Sequence, residues 1–399
     1  MCSFQSCTMK QMAVDRKTPF LPEEIIRSIL KRLPVKSLIR FHCVCKHWKD
    51  VIKTPSFIAD HLHHSTHQSP SLLFQENDRH PLQLRLLDCE MQVREVRNTP
   101  LIDSSSWVKI IGSSNGLLCV AINEADVYPA SILLWNPATG EIRQVPRTRT
   151  IDRFDWDCTV GFGFSPIIND YKIVRTYAES GYVISGVEVY SLSTGSWKEI
   201  ELGNLENVNL YLQTVSANGA IFWNGIKLGV EEGGEDDTDL IVSFDIAMEV
   251  FTLIPMPNSF SKLGVYDDKL AVLSHSRIGD FPNYLCSFID LWVLEEGIGS
   301  STKRWSWTKK CTCGPLPSAL NLGVIWRNEI ACVAFGKPRL VSETRDEIEN
   351  DEPKIGLYLF SITTNEFKMI AIPGCGSGRD VFNYVESLVP LGNNHIEEP

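Results

Sequence analysis

The sequence predicts two folds in one chain, a small all-α module of three helices followed by an all-β propeller of six blades. The first prediction rests on apolar residues at helical spacing between Leu21 and Ile52. The second rests on the region after Ser69-Pro70-Ser71, where helical periodicity gives way to short apolar strands and turns. Within that region a unit of about 50 residues recurs, which is typical of blades arranged around an axis.

The first helix is predicted to begin at Pro22, because the missing N–H of proline costs nothing in the first turn. Glu23 and Glu24 place negative charge at the positive end of the helix dipole. Pro34 ends the helix, since the residue before a proline avoids the α conformation. Between these limits the helix carries a wide apolar face, formed by Ile25, Ile26, Ile29, Leu30 and Leu33.

Two more short helices and a final helical turn are predicted after Pro34. The second helix contains Val35, Leu38 and Phe41, and the third contains Val44, Trp48, Val51 and Ile52. Thr54-Pro55 indicates a turn into a last helix that reaches Leu62. Chains shorter than about 40 residues rarely enclose a core of their own. The apolar side chains left over therefore indicate a surface that binds a partner.

The stretch resembles an F-box, the helical module that docks a substrate receptor onto the adaptor subunit of an SCF-type ubiquitin ligase. The plant pattern is present as Leu21 to Glu24, Ile29 to Leu38 and Arg40 to Trp48, with His42 where Arg is common. The resemblance implies that nine residues face the adaptor, namely Leu21, Pro22, Ile25, Leu30, Leu33, Pro34, Leu38, Val44 and Trp48. The alternative is a helical hairpin that packs against the rest of the chain.

The repeat in the second region is a hairpin with an aromatic residue or Leu, a Thr-Gly type of turn, and a strand that ends near proline. It is clearest at Ile132–Pro146 and at Val187–Trp197. Weaker copies are Leu84–Pro100, Val242–Pro255, Ile289–Trp307 and Leu357–Pro373. The equivalent positions are predicted to be Leu87, Trp135, Tyr190, Phe244, Trp292 and Phe360.

A second hairpin lies between successive copies. Asn115-Gly116 and Asn218-Gly219 are the strongest of these turns, because both residues of such a turn need positive φ. Two hairpins per repeat make a four-stranded blade, so the count favours six blades and leaves five or seven open. Tyr384–Leu391 is predicted to be a lone strand that closes the ring and removes an exposed sheet edge.

The second region is similar to the kelch-like F-box-associated domain found behind the F-box in a large plant family. The segments that carry this resemblance are LLWNPATGE, GFGF at residues 161–164, VYSLSTGSW and YVESLVPL. The paired glycines of full kelch signatures are absent, so the blades are degenerate. The predicted organisation is a disordered stretch over 1–17, the F-box over 18–62, a linker over 63–71, the propeller over 72–391 and a tail over 392–399.

Charge is distributed unevenly along the chain. Residues 1–53 carry 11 Lys and Arg against 4 Asp and Glu, whereas the remainder carries 27 against 45. An acidic body argues against nucleic acid as its ligand. No segment has the roughly 20 apolar residues of a membrane helix. The first 17 residues lack the apolar core of a signal peptide. The 12 cysteines are scattered and interpreted as reduced thiols, which favours a cytoplasmic or nuclear location.

Motifs for catalysis or metal binding are weak. Phosphate-binding loops, nucleophile elbows and zinc-protease helices are absent from the sequence. Asp155 and Asp157, on either side of Trp156, offer two carboxylates. The segment is interpreted as an exposed loop and not as the catalytic carboxylate pair of a glycosidase. Four histidines between His61 and His67 are interpreted as a solvated link, with a metal site as the alternative.

The resemblance implies a non-catalytic substrate receptor that holds a target protein close to a ubiquitin ligase. Its expected partners are the SCF adaptor, through it a cullin and a RING subunit, and an unidentified target, without cofactor, metal, membrane or nucleic acid. The alternative function is a lectin-like or scaffold propeller whose helical N-terminus serves only packing.

Three polar loops of the propeller are predicted to contact the target, because recognition usually lies on loops held by a rigid scaffold. They span Arg147 to Asp157, Gly229 to Asp239 and Lys337 to Pro353. The first combines arginine with aromatic residues, as interface hot spots do. Its candidate contacts are Arg147, Arg149, Arg153, Phe154 and Trp156. The other two loops are acidic and are expected to steer a partner without anchoring it.

Overall fold

The computed structural model describes residues 21–76, 83–98, 107–124, 127–148, 159–178, 183–229, 237–258, 261–278, 286–296, 305–316, 320–334, 356–370 and 378–392. The N-terminal module contains the helices α1 (Glu23–Leu30), α2 (Val35–Phe41), α3 (Lys46–Lys53) and α4 (Pro55–Gln68). Side chains of the preceding residues cap the last two helices. The Cys45 sulfur accepts a hydrogen bond from the Trp48 N–H, and the Thr54 hydroxyl accepts one from the Phe57 N–H.

The rest of the described chain is built from short antiparallel strands. The first twelve are β1 (Ser71–Glu76), β2 (Gln83–Leu87), β3 (Val93–Asn98), β4 (Trp107–Ser114), β5 (Leu117–Glu124), β6 (Val127–Asn136), β7 (Glu141–Gln144), β8 (Thr159–Ser165), β9 (Asp170–Ala178), β10 (Ile184–Ser191), β11 (Ser196–Ile200) and β12 (Val208–Ala217). The others are β13 (Ala220–Lys227), β14 (Thr238–Asp245), β15 (Val250–Pro255), β16 (Ser261–Tyr266), β17 (Lys269–Ile278), β18 (Cys286–Glu296), β19 (Trp305–Leu316), β20 (Leu320–Trp326), β21 (Glu329–Ala334), β22 (Gly356–Ser361), β23 (Phe367–Ile370) and β24 (Gly378–Tyr384).

These strands form six four-stranded sheets, which confirms the prediction of a six-bladed propeller. Blade 1 has the strand order β24-β1-β2-β3, and blades 2 to 6 each contain four consecutive strands from β4 to β23. The first strands of the six blades (β24, β4, β8, β12, β16 and β20) contact one another in turn around the ring and border its axis. The ring closes because the last strand pairs with the first one in the chain, with Leu73 opposite Phe382.

The antiparallel order gives the propeller two different faces. The turn face carries the junctions between the first and second strands and between the third and fourth strands of blades 2 to 6, such as Asn115-Gly116 and Asn218-Gly219. In blade 1 it carries the β2–β3 junction and the meeting ends of β24 and β1. The loop face carries the junctions between second and third strands and those from one blade to the next. The two Asn-Gly turns have positive φ at both residues, as the sequence predicts.

The core lies between neighbouring blades. The sequence GFGF in β8 is explained there, because a Cβ atom on Gly161 would overlap the Trp223 ring of the next blade and one on Gly163 would crowd Ile221. Tyr190, Phe244 and Phe360 are buried at equivalent positions of three blades. The repeated aromatic residues are therefore packing residues of the propeller, as expected from their strand positions.

The prediction that a C-terminal strand closes the ring is confirmed, but the predicted position of this strand is wrong. It ends at Tyr384, the first residue of the predicted segment Tyr384–Leu391, and only Tyr384 pairs with β1. The other residues, Val385–Leu391, form no strand and are called the C-terminal segment below. Burial in this segment does not alternate as it does in a strand with one buried face, because Ser387 and Leu388 are buried in succession. Leu388 packs against the helices, and the buried Leu391 packs against blade 2.

The predicted linker over 63–71 is also wrong in part. Helix α4 continues to Gln68, and only Ser69 and Pro70 separate it from β1. His61 is buried with its Nε2 atom 3.0 Å from the Leu33 carbonyl oxygen, and this contact fixes α4 against the end of α1. The predicted disordered stretch over 1–17 lies outside the described residues, as does most of the predicted tail.

Candidate adaptor and target interfaces

The helical module has a core of its own and an apolar outer surface. Seven side chains from α1 to α4 are buried together, namely Ile26, Leu30, Val35, Leu38, Val51, Ile52 and Phe57. The ion pair between Arg27 and Asp60 at 2.9 Å joins α1 to α4 beside this core. The arrangement uses one side of α1 for packing and leaves the neighbouring side, with Ile25 and Ile29, free to bind another molecule.

The outer surface of the module is unusually apolar for exposed residues. Leu21, Ile25, Ile29 and Val44 expose 50%, 46%, 46% and 58% of their surface, respectively. Ile25 and Ile29 are four residues apart and therefore lie on the same side of α1. Four large apolar side chains on so small a module form the kind of patch that marks a protein interaction site.

Five of the nine residues that the sequence assigns to the adaptor surface are exposed. They are Leu21, Pro22, Ile25, Pro34 and Val44. Leu33 and Trp48 are half-buried, and Trp48 packs edge-on against Phe41 with ring centroids 5.5 Å apart. All seven can be reached by a partner on the surface of the module.

Leu30 and Leu38 are the two assignments that the structure corrects. Both are fully buried in the helical core, so neither is available to a partner in this conformation. The motif places them correctly in the module but does not distinguish packing from docking. Ile29 is exposed and was missed, although its position four residues after Ile25 could have indicated it.

Basic and histidine side chains line an open depression between the end of α1 and α4. Its lining includes Lys31, Arg32, Asp60, His63, His64, His67 and Gln68. Burial, followed by the charges of Lys31 and Arg32, lowers the pKa of His64. The His63 and His67 rings lie 4.4 Å apart, and His67 Nδ1 is 2.8 Å from the His63 carbonyl oxygen. Within the part of the chain that the structure describes, no group of three or more potential ligands could hold a metal ion.

The three predicted target loops begin and end on the loop face. Arg147 follows β7 and is exposed. The carbonyl oxygen of the preceding residue, Pro146, accepts a 2.6 Å hydrogen bond from Trp197 Nε1. Arg149, Arg153, Phe154 and Trp156 lie outside the described residues, as do residues 230–236 and 337–353 of the acidic loops. The strands that flank all three loops have their nearest ends on the loop face.

An exposed bulge on β12 was not predicted from the sequence. Leu210 pairs with Gly225 and Thr214 with Trp223, so three residues of β12 stand opposite the single residue Asn224. Among those three, Tyr211 and Leu212 expose 50% and 53% of their surface. β12 borders the propeller axis, and the bulge lies toward its loop-face end. Bulges of this kind redirect side chains next to functional sites.

No helix of the described residues is long and apolar enough to cross a membrane. The carboxylates of Asp155 and Asp157 lie outside those residues. Burial raises the pKa values of the Cys119 and Cys332 thiols, the latter to about 12, so both are unreactive packing residues.

Comparison with known proteins assigns both parts of the chain. Residues 19–60 match the F-box domain, and residues 81–391 match the F-box associated beta propeller domain. F-box protein CPR1 of Arabidopsis thaliana is 25% identical over 396 residues, which cover 92% of this chain and 88% of that protein. A putative F-box/kelch-repeat protein of the same plant is 25% identical over 405 residues, which cover 93% and 98% of the two chains.

Proposed function

The chain belongs to the plant F-box proteins that carry an F-box associated β-propeller domain, and we propose that it is the target-binding subunit of an SCF-type ubiquitin ligase. In this role α1 and its neighbours bind the adaptor, and the adaptor connects the chain to a cullin and a RING subunit. The propeller binds a target protein. Ubiquitin transfer itself is performed by other subunits, so the chain acts without catalysis.

The observation that carries the proposal is the exposed apolar surface of the helical module. Leu21, Ile25, Ile29 and Val44 are exposed although the module has a complete core without them. Burying one such side chain contributes about 1.5–3 kcal/mol. Since each of the four is already about half-buried, a partner that covers them gains several kcal/mol of apolar burial, which offsets part of the free-energy cost of association.

Target binding is best placed on the loop face. The helical core contacts the propeller through Ala138, which lies in a turn between the third and fourth strands of blade 2 and therefore on the turn face. The loop face is left uncovered by the helices and carries Arg147 and the strand ends that flank the acidic loops. A target held there would be on the opposite side of the propeller from the adaptor.

The chemical contribution of such a receptor is proximity. Holding a target next to an activated ubiquitin replaces a bimolecular encounter with an intramolecular one, at an effective concentration set by the geometry of the assembly. A cytoplasmic or nuclear location is part of the proposal. The interpretation of the twelve cysteines as reduced thiols supports it, because these compartments keep thiols reduced.

The proposal is tested by the binding of the full chain to a purified SCF adaptor. Replacing Ile25 by Asp places a charge in the centre of the apolar surface and should weaken adaptor binding at least about 30-fold, which corresponds to about 2 kcal/mol. The matched control is Ile167→Asp, at an isoleucine of the propeller that is 83% exposed. Equal binding by the two variants would contradict the adaptor role. Glycan-dependent binding without adaptor binding would favour the lectin-like alternative.

The same Ile25→Asp chain provides a way to identify the target. A receptor that no longer reaches the ligase should keep its target bound and intact, so proximity labelling with this variant should enrich the target relative to the unaltered chain. Identical labelling patterns from both chains would count against target capture by the propeller.

A further inference from the structure

Two motifs that mark the family resemblance, LLWNPATGE at residues 133–141 and YVESLVPL at residues 384–391, lie against each other on the turn face. Each motif contributes one residue, Ala138 or Leu388, to the core of the helical module. Their contact joins blade 2, the C-terminal segment and the helical module into one interface.

Blade 2 binds the C-terminal segment in its middle and at its last residue. The Asn136 side-chain nitrogen donates hydrogen bonds to the carbonyl oxygens of Ser387 at 3.0 Å and Val389 at 2.9 Å. Further along, Glu141 accepts a 2.8 Å hydrogen bond from the Leu391 N–H, and Arg143 donates one of 3.1 Å to the Leu391 carbonyl oxygen. The segment is thereby fixed on blade 2 from Ser387 to Leu391.

The Asn115-Gly116 turn of blade 2 also depends on the segment. A Cβ atom on Gly116 would overlap Ser387 and the Val385 carbonyl oxygen, and φ at this glycine is +80°. The close approach of the two backbones therefore needs a residue without a side chain.

The helical module in turn rests on the segment. Leu388 is buried in the same cluster as Ile26 and Leu38, and together with Ala138 it completes the core of the module. The Glu386 carboxylate accepts a 3.3 Å hydrogen bond from the Val35 N–H, the first residue of α2. Pro34, which precedes α2, provides no side-chain cap.

The covalent connection between the two parts is short but single. Only Ser69 and Pro70 lie between α4 and β1. A single connection leaves rotations about its backbone dihedrals open, whereas a second, noncovalent attachment through a buried side chain and a hydrogen bond removes them. The attachment through Glu386 and Leu388, next to the Ala138 contact, therefore restricts how the helices are oriented.

We propose that the C-terminal segment, Val385–Leu391, is a positioning element that fixes the orientation of the helical module on the turn face of blade 2. Asn136, Glu141 and Arg143 hold the segment, and Glu386 and Leu388 hold the helices. The direction of the exposed side of α1 relative to the loop face is set by these contacts. The inference concerns the geometry of the chain alone and stands whether or not the adaptor role is confirmed.

The test measures the distance between the two parts in the full chain without any partner. Spin labels on genetically encoded azide residues at Lys53 and Lys368, both exposed, leave the cysteines unaltered. Pulsed dipolar spectroscopy should give one narrow distance for the otherwise unaltered chain and for the control Pro390→Ala, whose side chain is exposed. The double variant Glu386→Ala, Leu388→Ala should lose the narrow distance and show a broad distribution, while circular dichroism and melting show that both parts remain folded.

A narrow, unshifted distance in the folded double variant would overturn the proposal. If that variant unfolds the helices, Glu386→Ala alone decides the question, because it removes the acceptor of the Val35 N–H and leaves every buried apolar side chain in place. Hydrogen exchange at the start of α2 should then become faster than in Pro390→Ala. Unchanged exchange there would also overturn the proposal.

Discussion

The side-chain nitrogen of Asn136 lies 3.0 Å from the carbonyl oxygen of Ser387, a residue 251 positions further along the chain. The Asn136 side-chain oxygen meanwhile accepts hydrogen bonds from the Ala138 N–H at 3.0 Å and the Thr139 N–H at 3.3 Å. One buried amide thus shapes its own turn and binds the C-terminal segment. An amide suits this position because it is both donor and acceptor, which neither a carboxylate nor a hydrocarbon can be.

Replacing Asn136 by Ala should lower the free energy of unfolding of the propeller by about 2–4 kcal/mol, since several buried hydrogen bonds are lost and their backbone partners are left unsatisfied. Asn136→Asp should cost at least as much, because a carboxylate cannot donate to the Ser387 and Val389 carbonyl oxygens. Urea unfolding followed by circular dichroism measures both. The control is Asn328→Ala at an exposed turn residue, which should change stability by less than about 0.5 kcal/mol. Equal stability of the Asn136 and Asn328 variants would contradict this account.

Leu38 and Ile25 should separate folding from docking within the helical module. Leu38→Ala removes a fully buried side chain and should destabilise the module by about 2–5 kcal/mol. Ile25→Ala removes a half-exposed side chain and should leave the helical signal almost unchanged while adaptor affinity falls. Helix melting and adaptor titration, carried out on both variants, distinguish the two effects. A loss of stability in Ile25→Ala that matches the loss in Leu38→Ala would show that the exposed side of α1 belongs to the core.

Much of the fold could be predicted because it depends on local signals. Asn115-Gly116 and Asn218-Gly219 specify hairpins through their positive φ values, and the structure has both. The aromatic repeat is also a local signal, but the prediction that Trp292 occupies the equivalent position in blade 5 is wrong. There Val293 pairs with Ala271, which places Leu294 and not Trp292 next to the β16–β17 turn.

What could not be predicted depends on contacts between distant parts of the chain. Helical periodicity shows that Leu30 and Leu38 are apolar positions, but only the packing of four helices shows that they face inward. The C-terminal segment has the apolar content of a strand, but its partners are Asn136 and the helices and not a neighbouring strand. Tyr211 and Leu212 are exposed because the β12 ladder contains a bulge, which no local pattern indicated.

Glu249 should make the stability of the propeller depend on pH in the acidic range. Burial acts to raise its pKa, but hydrogen bonds from Lys172 at 2.7 Å and Lys198 at 2.6 Å outweigh burial and lower it below 4.5. A lowered carboxyl pKa adds stability above the unfolded-state value, and this stability is lost as pH falls through the folded-state value. Glu249→Gln should therefore be less stable than the unaltered chain by about 1 kcal/mol at pH 7, with the difference shrinking toward pH 3.

The control for this titration is Glu206→Gln, at an exposed carboxylate. Its stability should follow that of the unaltered chain at every pH. Thermal melting between pH 7 and pH 3 measures both variants. A constant difference between Glu249→Gln and the unaltered chain over that range would show that the Lys172 contact does not depend on the charge of Glu249.

Ring closure predicts that two truncations at the C-terminus differ sharply. Removing residues 378–399 deletes β24 and exposes the edge of β1, so the whole propeller should lose stability cooperatively and become prone to aggregation. Removing only 385–399 keeps the ring closed and should cost less, although buried Leu391 is lost from the blade 2 core. Melting temperature and sedimentation of the two chains provide the comparison. Equal losses would mean that the C-terminal segment, and not β24, completes the propeller.

The β12 bulge is predicted to contribute to target binding, together with the arginine and aromatic residues of the loop that starts at Arg147. Tyr211 and Leu212 are exposed on the strand next to the axis, in a bulge nearer to its loop-face end, and tyrosine is enriched among residues that dominate interfaces. Replacing both by Ala should slow turnover of the target at least tenfold while adaptor binding is unchanged, because about 1.4 kcal/mol per tenfold is within the range of one hot-spot side chain. Arg153→Ala with Trp156→Ala should act in the same direction. The matched control is Ile167→Ala with Met248→Ala, two exposed apolar residues at turns of the opposite face. If the control pair slows turnover and the Tyr211 and Leu212 pair does not, the target binds the turn face beside the helices, and its lysines are presented from the same side as the adaptor.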